Sequence, residues 1–446
     1  MKDIIQDLLK EKNYIKIKEV LLESNVVDTA LLLETLLEKE ELIKVFRLLP
    51  KSMAADVFSY MSIETNQWLI MSLTDKEIGA IIDDLYVDDA VDLLEEMPSN
   101  IVKRILKNAN SETRNDINHL LKYPIESAGS IMTVEFVDLK ADMTAEEAIA
   151  RIRKNGIDKE TINTCYVIDE AGHLSGTISL RRILLSDPNS KINDIMNDNV
   201  ITALTLEDQE IVAGKFQKYD FITMPVVDNE NRLVGIITVD DIVDIIQEET
   251  TEDIEIMAAI SPSEKPYLKT GVFEAFKNRI PWLMILMISA AVTGKIIQGY
   301  EETLSQIAIL TAFIPMLMDT GGNSGSQASV SVIRGISLQE IKFSDTYKIL
   351  YKEFRISILV GLALASTNFI KMMLIDNATP QVALVVCLTL FFTIVIAKVV
   401  GCLLPIGAKK VGFDPAIMAS PLITTIVDAL SLIIYFRMAA ALLHIG

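Results

Sequence analysis

The first 132 residues alternate apolar and polar positions with a helical period. Runs such as LLLETLLEKEELIKVFRLL and DDAVDLLEEMPSNIVKRIL place apolar residues three and four positions apart, which puts them on one face of a helix. Pro50 and Pro98 interrupt two similar runs 48 residues apart. Because Pro is tolerated in the first turn of a helix, the pattern predicts an all-α N-terminal domain of repeated helical hairpins over residues 1–131.

The middle of the chain contains a duplicated pattern. CYVIDEAGHLSGTISLRRIL (Cys165–Leu184) aligns without gaps on MPVVDNENRLVGIITVDDIV (Met224–Val243) at a shift of 59, and Gly176 aligns with Gly235. Each unit reads as a strand, a polar turn, a strand marked by the glycine and a helix, and a further helix precedes each unit. This duplication is similar to the tandem cystathionine-β-synthase (CBS) domain pair. We therefore predict an α/β CBS pair over residues 132–246.

The hydropathy changes after Gly271. Five apolar stretches follow, each near the roughly 20 residues that cross a bilayer as a helix: Ile280–Ile297, Leu304–Val332, Ile356–Leu374, Val382–Leu404 and Ala416–Leu443. The chain is thus predicted to be a multidomain membrane protein, with a five-span helical domain over 271–446. An acidic connecting helix is expected over 247–270.

Loop charges indicate how the spans are oriented. With the N-terminus inside, the loops Arg334–Arg355 and Ala408–Asp414 are internal and hold seven Lys and Arg residues, whereas the outer loops YEETLS and DNATPQ hold none. That asymmetry follows the positive-inside rule. MKDIIQDLLKEK carries charges within its apolar run and lacks the features of a signal peptide. We expect cytosolic N-terminal domains, a C-terminus outside the cell, and a multi-pass protein of the plasma membrane.

Charge separates the chain into two parts. The whole chain has a formal net charge of −20, but residues 266–446 carry 14 Lys and Arg against 10 Asp and Glu. The first 265 residues are therefore strongly acidic, with 27 basic and 51 acidic residues. Phosphate backbones would be repelled, which argues against nucleic acid as a partner, whereas inorganic cations would be attracted. Three scattered cysteines and three scattered histidines provide no disulfide framework and no zinc-ligand spacing.

Asp428 is a carboxylate inside the last apolar stretch. It lies about 18 Å along that stretch at ~1.5 Å per residue, where a charge is costly unless it faces water, a cation or a partner charge. Thr424 and Thr425 precede it by one helical turn on the same face, and both are predicted to line a pore. Lys398, like Lys295 and Lys371, is a conceivable partner that lies near a span end. We favour an ion path at Asp428 over a salt-bridged packing role.

The second apolar stretch carries the polar run PMLMDTGGNSGSQ. Pro315 and the glycines are expected to loosen the helix and to bring backbones close, and Asn323, Ser324 and Gly325 are predicted to line a pore. The alternative is close helix packing through Gly321 and Gly325, which form a GxxxG motif. Asp319 in the same run is a second intramembrane carboxylate, and the sequence does not indicate which way its side chain faces.

Further carboxylates lie at the cytosolic entry to the spans. Asp414 precedes the last span and either marks the pore mouth or caps the helix that follows. The carboxylates Asp241, Asp244, Glu248, Glu252 and Glu255 fall within about 80° of one helical face. A solvated acidic face is the ordinary explanation, but dense carboxylates with few lysines also suit a divalent cation that keeps part of its water shell.

Taken together, these segments resemble the MgtE family of magnesium channels and transporters over nearly the whole chain. The likeness rests on YPIESAGSIM, the CBS pair, the acidic connecting segment, PMLMDTGGNSGSQ and ASPLITTIVDAL. It implies a homodimer with one pore on the twofold axis, in which Asp428 of both subunits binds hydrated Mg²⁺. It also implies that the connecting segment is the family's plug helix, and that further carboxylates sense cytosolic Mg²⁺: Asp88, Asp89, Asp92, Asp220, Asp241, Asp244, Glu249, Glu252 and Asp253.

The expected function is Mg²⁺ uptake through a channel or transporter that cytosolic Mg²⁺ closes. Mg²⁺ would be both cargo and regulator, and family CBS pairs can also bind ATP, although no sequence feature specifies an adenine pocket. The alternatives are a non-conducting Mg²⁺ sensor and a transporter of another divalent cation, such as Co²⁺ or Mn²⁺. An enzyme is not expected, because no nucleophile–base pair or phosphate-binding glycine loop is evident.

Overall fold

A computed structural model describes residues 2–36, 38–263, 265, 267–300 and 307–444. The chain divides into two compact units, residues 1–245 and 246–446. The first unit contains an all-helical region and a mixed α/β region. The second is almost entirely helical.

Short amphipathic helices form the N-terminal part of the first unit. Their bounds, α1 to α10 in order, are Lys2–Lys10, Tyr14–Leu22, Val26–Leu36, Lys39–Phe46, Lys51–Ser59, Ile63–Ser72, Asp75–Ile82, Val87–Glu95, Ser99–Asn108 and Ser111–Leu120. Pro50 and Pro98 are the N-cap residues of α5 and α9, which explains why both runs break there. Apolar residues at helical spacing make the core, as the sequence pattern predicts; Leu33, Val45, Phe58, Leu69, Ile82 and Ile105 are almost fully buried.

Two copies of one α/β unit follow. The first consists of β1 (Asp138–Leu139), α11 (Ala145–Asn155), β2 (Thr164–Ile168), β3 (Leu174–Ser179), α12 (Leu180–Leu185) and α13 (Ile192–Ile195). The second consists of β4 (Ala203–Leu204), α14 (Gln209–Tyr219), β5 (Thr223–Val227), β6 (Leu233–Thr238) and the start of α15 (Val239–Met257). The long strands of the two copies are related by the predicted shift of 59.

Each copy contains a three-stranded sheet with the same register. In the first sheet β1 pairs in parallel with β2, and β2 pairs antiparallel with β3; β4, β5 and β6 repeat this order. The two copies also hydrogen-bond to each other, since the Tyr166 hydroxyl donates to Thr223 Oγ1 at 3.0 Å and the Leu174 N–H donates to the Asn231 carbonyl at 3.0 Å. The short parallel strands β1 and β4 were not part of the sequence prediction, because two residues give no detectable period.

The acidic helix α15 begins and ends earlier than the predicted connecting segment of 247–270. It starts at Val239, directly after β6, and ends at Met257. Ala259 has a left-handed backbone with φ of 57°, and Pro262 follows, so the helix does not continue beyond this point. The boundary between the two compact units falls within α15.

Long helices make up the second unit. Their bounds are Val272–Gly299 (α16), Ile314–Ser337 (α17), Thr346–Leu374 (α18), Pro380–Val411 (α19) and Ser420–Leu443 (α20). Short 3₁₀ turns precede three of them, at Ala308–Phe313, Phe343–Asp345 and Pro415–Met418.

Of the described residues, four segments are long and apolar enough to cross a membrane. They are Val272–Gly299, Phe343–Leu374, Pro380–Val411 and Pro415–Leu443. The predicted span Leu304–Val332 begins in residues 301–306, outside the described residues, and otherwise corresponds to α17, which is not among the four. The polar run of α17 lowers its hydropathy, but α17 packs along both α19 and α20, so much of its surface contacts protein instead of lipid. The count of five spans stays a prediction.

The glycines of α17 serve close helix packing. A Cβ on Gly401 of α19 would lie 2.3 Å from the Gly325 carbonyl oxygen, and a Cβ on Gly322 would lie 2.8 Å from Thr424 Cγ2 of α20. No larger residue fits at either crossing. The expected loosening of this helix is wrong, since α17 is one continuous helix from Ile314 to Ser337; close packing from both sides holds the glycine-rich backbone helical.

Candidate functional site

Asp428 lies near the middle of the described part of α20, on the side that faces α17. Its side chain is half-buried, and its Oδ1 is fully buried without a hydrogen-bond partner among the described residues. Asp319 of α17 is the charged group that acts on it electrostatically. A buried carboxylate oxygen without a donor is costly in the low-dielectric interior. The position therefore suits a bound cation.

Two of the three lysines considered as partners of Asp428 pair with other carboxylates. Lys398 is 4% exposed, and its Nζ lies 3.4 Å from Glu353 Oε2 of α18. Lys371 pairs with Asp376 at 3.1 Å. Lys398 thus lies buried between α18 and α19 instead of extending to the membrane surface as the sequence analysis expected.

The predicted pore-lining residues have different environments. Asn323 is exposed, whereas Ser324 is 5% exposed and its Oγ has no hydrogen-bond partner among the described residues. Gly325 lies at the crossing with α19 described above. Thr424 contacts Gly322, and Thr425 Oγ1 donates to the Pro421 carbonyl at 3.0 Å. Within one protomer, Asn323 is therefore the residue of this set whose side chain is most exposed.

Asp414 is an N-cap in this structure. Its Oδ1 accepts a hydrogen bond from the Ala416 N–H at 2.8 Å and so caps the 3₁₀ turn Pro415–Met418. This is the capping alternative from the sequence analysis. Asp414 also lies close enough to Asp253 to act on it electrostatically, so the cap and the end of α15 belong to one region.

The end of α15 packs against the C-terminal end of α17 and the 3₁₀ turn that precedes α20. Ile256 and Met257 lie against Ile333, Ala416 and Ala419. One turn earlier, Asp253 Oδ2 accepts a hydrogen bond from Ser337 Oγ at 3.3 Å, just where α17 ends. Burial, followed by the charge of Asp414, raises the pKa of Asp253. Two carboxylates are thus held side by side at the base of the helical bundle.

A second group of carboxylates lies within the first unit, between α8 and the start of α15. Burial and the charges of neighbouring carboxylates, Asp241 first among them, raise the pKa of Asp88 well above its usual range. The same two causes raise the pKa of Asp89 to about 6 and that of Glu160 to about 7. Burial, with Asp240 and Asp244 nearby, raises the pKa of Asp241 to about 6. We call Asp88, Asp89, Glu160 and Asp241 the carboxylate cluster.

The carboxylate cluster has the negative charge that a cation site requires. It does not have the geometry of a site in which protein side chains surround the ion. The charged groups that raise these pKa values are all carboxylates. In the described part of the chain, no three His, Cys, Asp or Glu side chains are placed to hold one metal ion together. Because Mg²⁺ usually keeps several waters and contacts one or two carboxylates, widely spaced groups can hold it through its water shell. The residues present therefore fit a hydrated ion.

The remaining sensor residues are dispersed. Asp92 lines a cavity of about 190 Å³ together with Asp89, Glu96 and Asn66. Asp220 has a left-handed backbone at the end of α14 and lines a different cavity. Asp244, Glu249 and Glu252 lie along α15, with Asp244 in the first unit and the other two in the second.

Sequence reasoning missed Glu160, and it missed a cavity in the CBS pair. Glu160 lies in a loop outside any carboxylate run, so no periodic signal identifies it. The cavity, of about 490 Å³, lies between the two copies and is lined by Tyr166, Ser179, Arg182, Tyr219, Asp220 and Phe221, among others. The rings of Tyr219 and Phe221 stack with centroids 5.5 Å apart. The duplication could have suggested a cleft between the two copies, but it could not have indicated which residues line that cleft.

Comparison with known protein families finds matches in the N-terminal helical region, in the CBS pair and in the membrane unit. The family of the MgtE intracellular N domain matches residues 24–126, the CBS domain matches 128–188 and 192–248, and the MgtE divalent cation transporter family matches 314–438. A magnesium transporter MgtE of Thermus thermophilus is 34% identical over 443 residues, covering 99% of this chain and 98% of its own length. One of Bacillus subtilis is 36% identical over 357 residues, covering 80% and 78%.

Solved structures resemble the soluble part. The cytosolic domain of the Mg²⁺ channel MgtE in complex with ATP is 36% identical, with a TM-score of 0.52, and the match covers 55% of this chain and 100% of that one. The soluble part of a magnesium transporter is 31% identical, with a TM-score of 0.53, covering 56% and 97%. An N-terminal helical domain, a CBS pair and a helical membrane unit together define a membrane transporter with attached regulatory domains. The chain belongs to the MgtE family of divalent cation transporters, which confirms the resemblance found from the sequence.

Proposed function

We propose that this chain carries Mg²⁺ across the plasma membrane, with Asp428 as the central ion-binding residue of the path. The observation that carries this proposal is the buried, unpartnered carboxylate oxygen of Asp428 within a helix long enough to span the bilayer. A carboxylate there is stabilised by a cation and destabilised by lipid. The two relatives described above, which match most of the chain, are magnesium transporters.

The path is built from two chains in this proposal. A homodimer with a twofold axis along the pore would place two copies of Asp428 around one ion, which together balance the charge of Mg²⁺. Mg²⁺ dehydrates reluctantly, so the carboxylates would hold it through its waters. Positively charged internal loops support cytosolic N-terminal domains and an external C-terminus.

Regulation in this proposal comes from the carboxylates of the soluble domains and α15. At low cytosolic Mg²⁺ the carboxylate cluster is mutually repulsive, and the N-terminal domain and CBS pair loosen. At high Mg²⁺, hydrated ions offset the charges of Asp88, Asp89 and Asp241, and α15 closes the pore. Mg²⁺ can do this only by binding the closed state more tightly than the open one.

Reconstituted liposomes test the transport proposal. We expect Mg²⁺ uptake down a gradient, and inhibition of that uptake as Mg²⁺ inside the cytosolic-facing compartment is raised. Uptake of Co²⁺ or Mn²⁺ in place of Mg²⁺ would favour the alternative cargo. Mg²⁺-dependent protection of the soluble domains without any flux would favour the non-conducting sensor.

A second ligand is favoured by the cavity of the CBS pair. A relative's cytosolic domain binds ATP, and here the stacked Tyr219 and Phe221 rings offer an aromatic surface while Arg182 offers a cation for phosphates. We propose that ATP binds in this cavity. Equilibrium dialysis with labelled ATP should show binding to the parent and weak binding to Arg182→Ala; equal binding by both would contradict the assignment.

A further inference from the structure

One face of α17 carries a polar stripe that is open in the protomer. Asp319, Asn323 and Gln327 follow one another at intervals of four residues, and all three are exposed. The opposite face of the helix, with Gly321 and Gly325, is buried against its neighbours. Two amides and a carboxylate cannot face hydrocarbon without a cost of several kcal/mol. This face of the protomer is therefore covered by water or by the partner subunit, not by lipid.

The stripe runs beside Asp428. Helices α17 and α20 are antiparallel, because Gly321 contacts Val427 and Ser431, whereas Ser329 Oγ bonds the Met418 carbonyl near the start of α20. Gly322 contacts Thr424. Asp319 lies about one turn before Gly322 in α17, and Asp428 lies about one turn after Thr424 in α20. Because the two helices are antiparallel, both carboxylates are displaced from the Gly322–Thr424 contact in the same direction. The electrostatic interaction between the two carboxylates agrees with this placement.

We infer that Asp319 is a second ion-binding carboxylate of the transport path and contributes to selection of divalent over monovalent cations. This inference rests on the proposed function of Asp428 and extends it. Each protomer then supplies two carboxylates at the same depth, and the proposed homodimer would place four along the path, a charge that favours a divalent over a monovalent cation. With N-terminal domains inside, Asp319 lies toward the outer end of α17, so an entering ion meets it at or before Asp428.

Neutralising Asp319 should weaken binding of the entering ion without abolishing the path. In liposomes, Asp319→Asn should raise the external Mg²⁺ concentration for half-maximal uptake about tenfold, the order of one lost unit-charge interaction across a few ångströms of water-filled path. It should also increase the relative Na⁺ permeability. Asp319→Glu should restore most of the affinity. Glu340→Gln removes one exposed carboxylate of the same unit outside α17 and serves as the charge-matched control, with parental uptake.

Thiol accessibility provides a readout that does not depend on flux. The three native cysteines are buried, so Asp319→Cys would report on one position. A membrane-impermeant charged thiol reagent should modify Asp319→Cys, and Mg²⁺ should slow the reaction. Leu359→Cys on α18, whose leucine is 70% exposed, should react slowly because that surface faces lipid.

Each outcome separates the inference from the transport proposal. Slow modification of Asp319→Cys, equal to that of Leu359→Cys, would overturn the inference even in a functional transporter. Parental half-maximal concentration and selectivity in Asp319→Asn would also overturn it. Mg²⁺-protected modification in a protein that conducts nothing would retain the ion-binding role of Asp319 and remove only the transport function.

Discussion

The least compensated side chain in the membrane unit is Asp428. Its Oδ1 has no donor among the described residues, and its charged neighbour, Asp319, is another carboxylate. Asp428→Asn keeps the shape and removes the charge, so we expect Mg²⁺ uptake to fall by at least about tenfold, since one pore charge contacting a divalent ion is worth more than ~1 kcal/mol. Asp428→Glu should keep binding and lose part of the flux.

Ser431→Ala is the matched control for Asp428, one turn further along α20. Its hydroxyl is buried and donates to the Val427 carbonyl within the same helix, so its loss should leave uptake and dimerisation near the parent. Size-exclusion chromatography should show that Asp428→Asn keeps the parental oligomeric state. Parental uptake in Asp428→Asn would return this residue to a packing role.

A second residue-scale prediction concerns the buried pair of Lys398 and Glu353. Lys398→Met leaves the carboxylate of Glu353 buried and uncompensated, and breaking a buried pair on one side costs about 3–5 kcal/mol. We expect a clear drop in thermal stability of the detergent-solubilised protein. The double variant Glu353→Gln with Lys398→Met should recover most of that loss. Equal destabilisation by the single and double variants would show that volume, and not charge, matters at this position.

At the scale of elements, α15 continues from the last strand of the CBS pair into the membrane unit. Its acidic residues lie along one helix, and its last turn packs on Ile333, Ala416 and Ala419. We predict that replacing Asp241, Asp244, Glu252 and Asp253 together by Ala leaves the transporter conductive at high internal Mg²⁺. The reason is that the ligands through which Mg²⁺ stabilises the closed state are lost.

The same substitution also removes repulsion, so the sign of the effect distinguishes two mechanisms. If repulsion alone holds the pore open, the quadruple variant should close even without Mg²⁺. The proposed closure of the pore by Mg²⁺ binding to these carboxylates would then be wrong. Replacement of Glu11, Glu19, Glu23 and Glu38 by Gln neutralises four exposed carboxylates distant in sequence from α15 and controls for net charge. Liposome uptake at several internal Mg²⁺ concentrations gives the comparison.

At the scale of the whole molecule, the acidic soluble part should respond to protons and Mg²⁺ in a linked way. The folded cluster raises the pKa values of Asp89 and Asp241 to about 6 and that of Glu160 to about 7, above their ordinary values of 3.8 and 4.5. Their protonated forms are therefore favoured by folding. The stability they contribute is complete below about pH 4 and is lost as the pH rises through 6 to 7.

Mg²⁺ should restore this stability where the carboxylates are charged. We expect millimolar Mg²⁺ to slow proteinase K digestion of the soluble domains strongly at pH 8 and weakly at pH 5.5, with rates normalised to an unfolded substrate at each pH. Na⁺ at matched ionic strength should not substitute. Equal protection by Na⁺ would mean general screening, and the double variant Asp89→Asn with Asp241→Asn should lose most of the Mg²⁺ effect.

The sequence by itself determined the elements whose signals are local and repeated. The 59-residue duplication predicted the antiparallel strand pair of each sheet, because alternation and turn residues act over a few neighbours. Hydropathy predicted four membrane segments, and charge separated the acidic part of the chain from the rest. It also identified Asp428, since a carboxylate within 20 apolar residues is conspicuous without any partner.

Only the tertiary structure decided which distant side chains meet. It paired Lys398 with Glu353, made Asp414 a cap, brought Glu160 to α8 and α15, and showed that the glycines of α17 serve packing within a continuous helix. It also placed Asp319 beside Asp428, 109 residues away. These results depend on how helices cross, and crossing is set by side-chain volumes on both partners at once. No periodic pattern along one segment contains that information, which is why these contacts could not be predicted from the sequence.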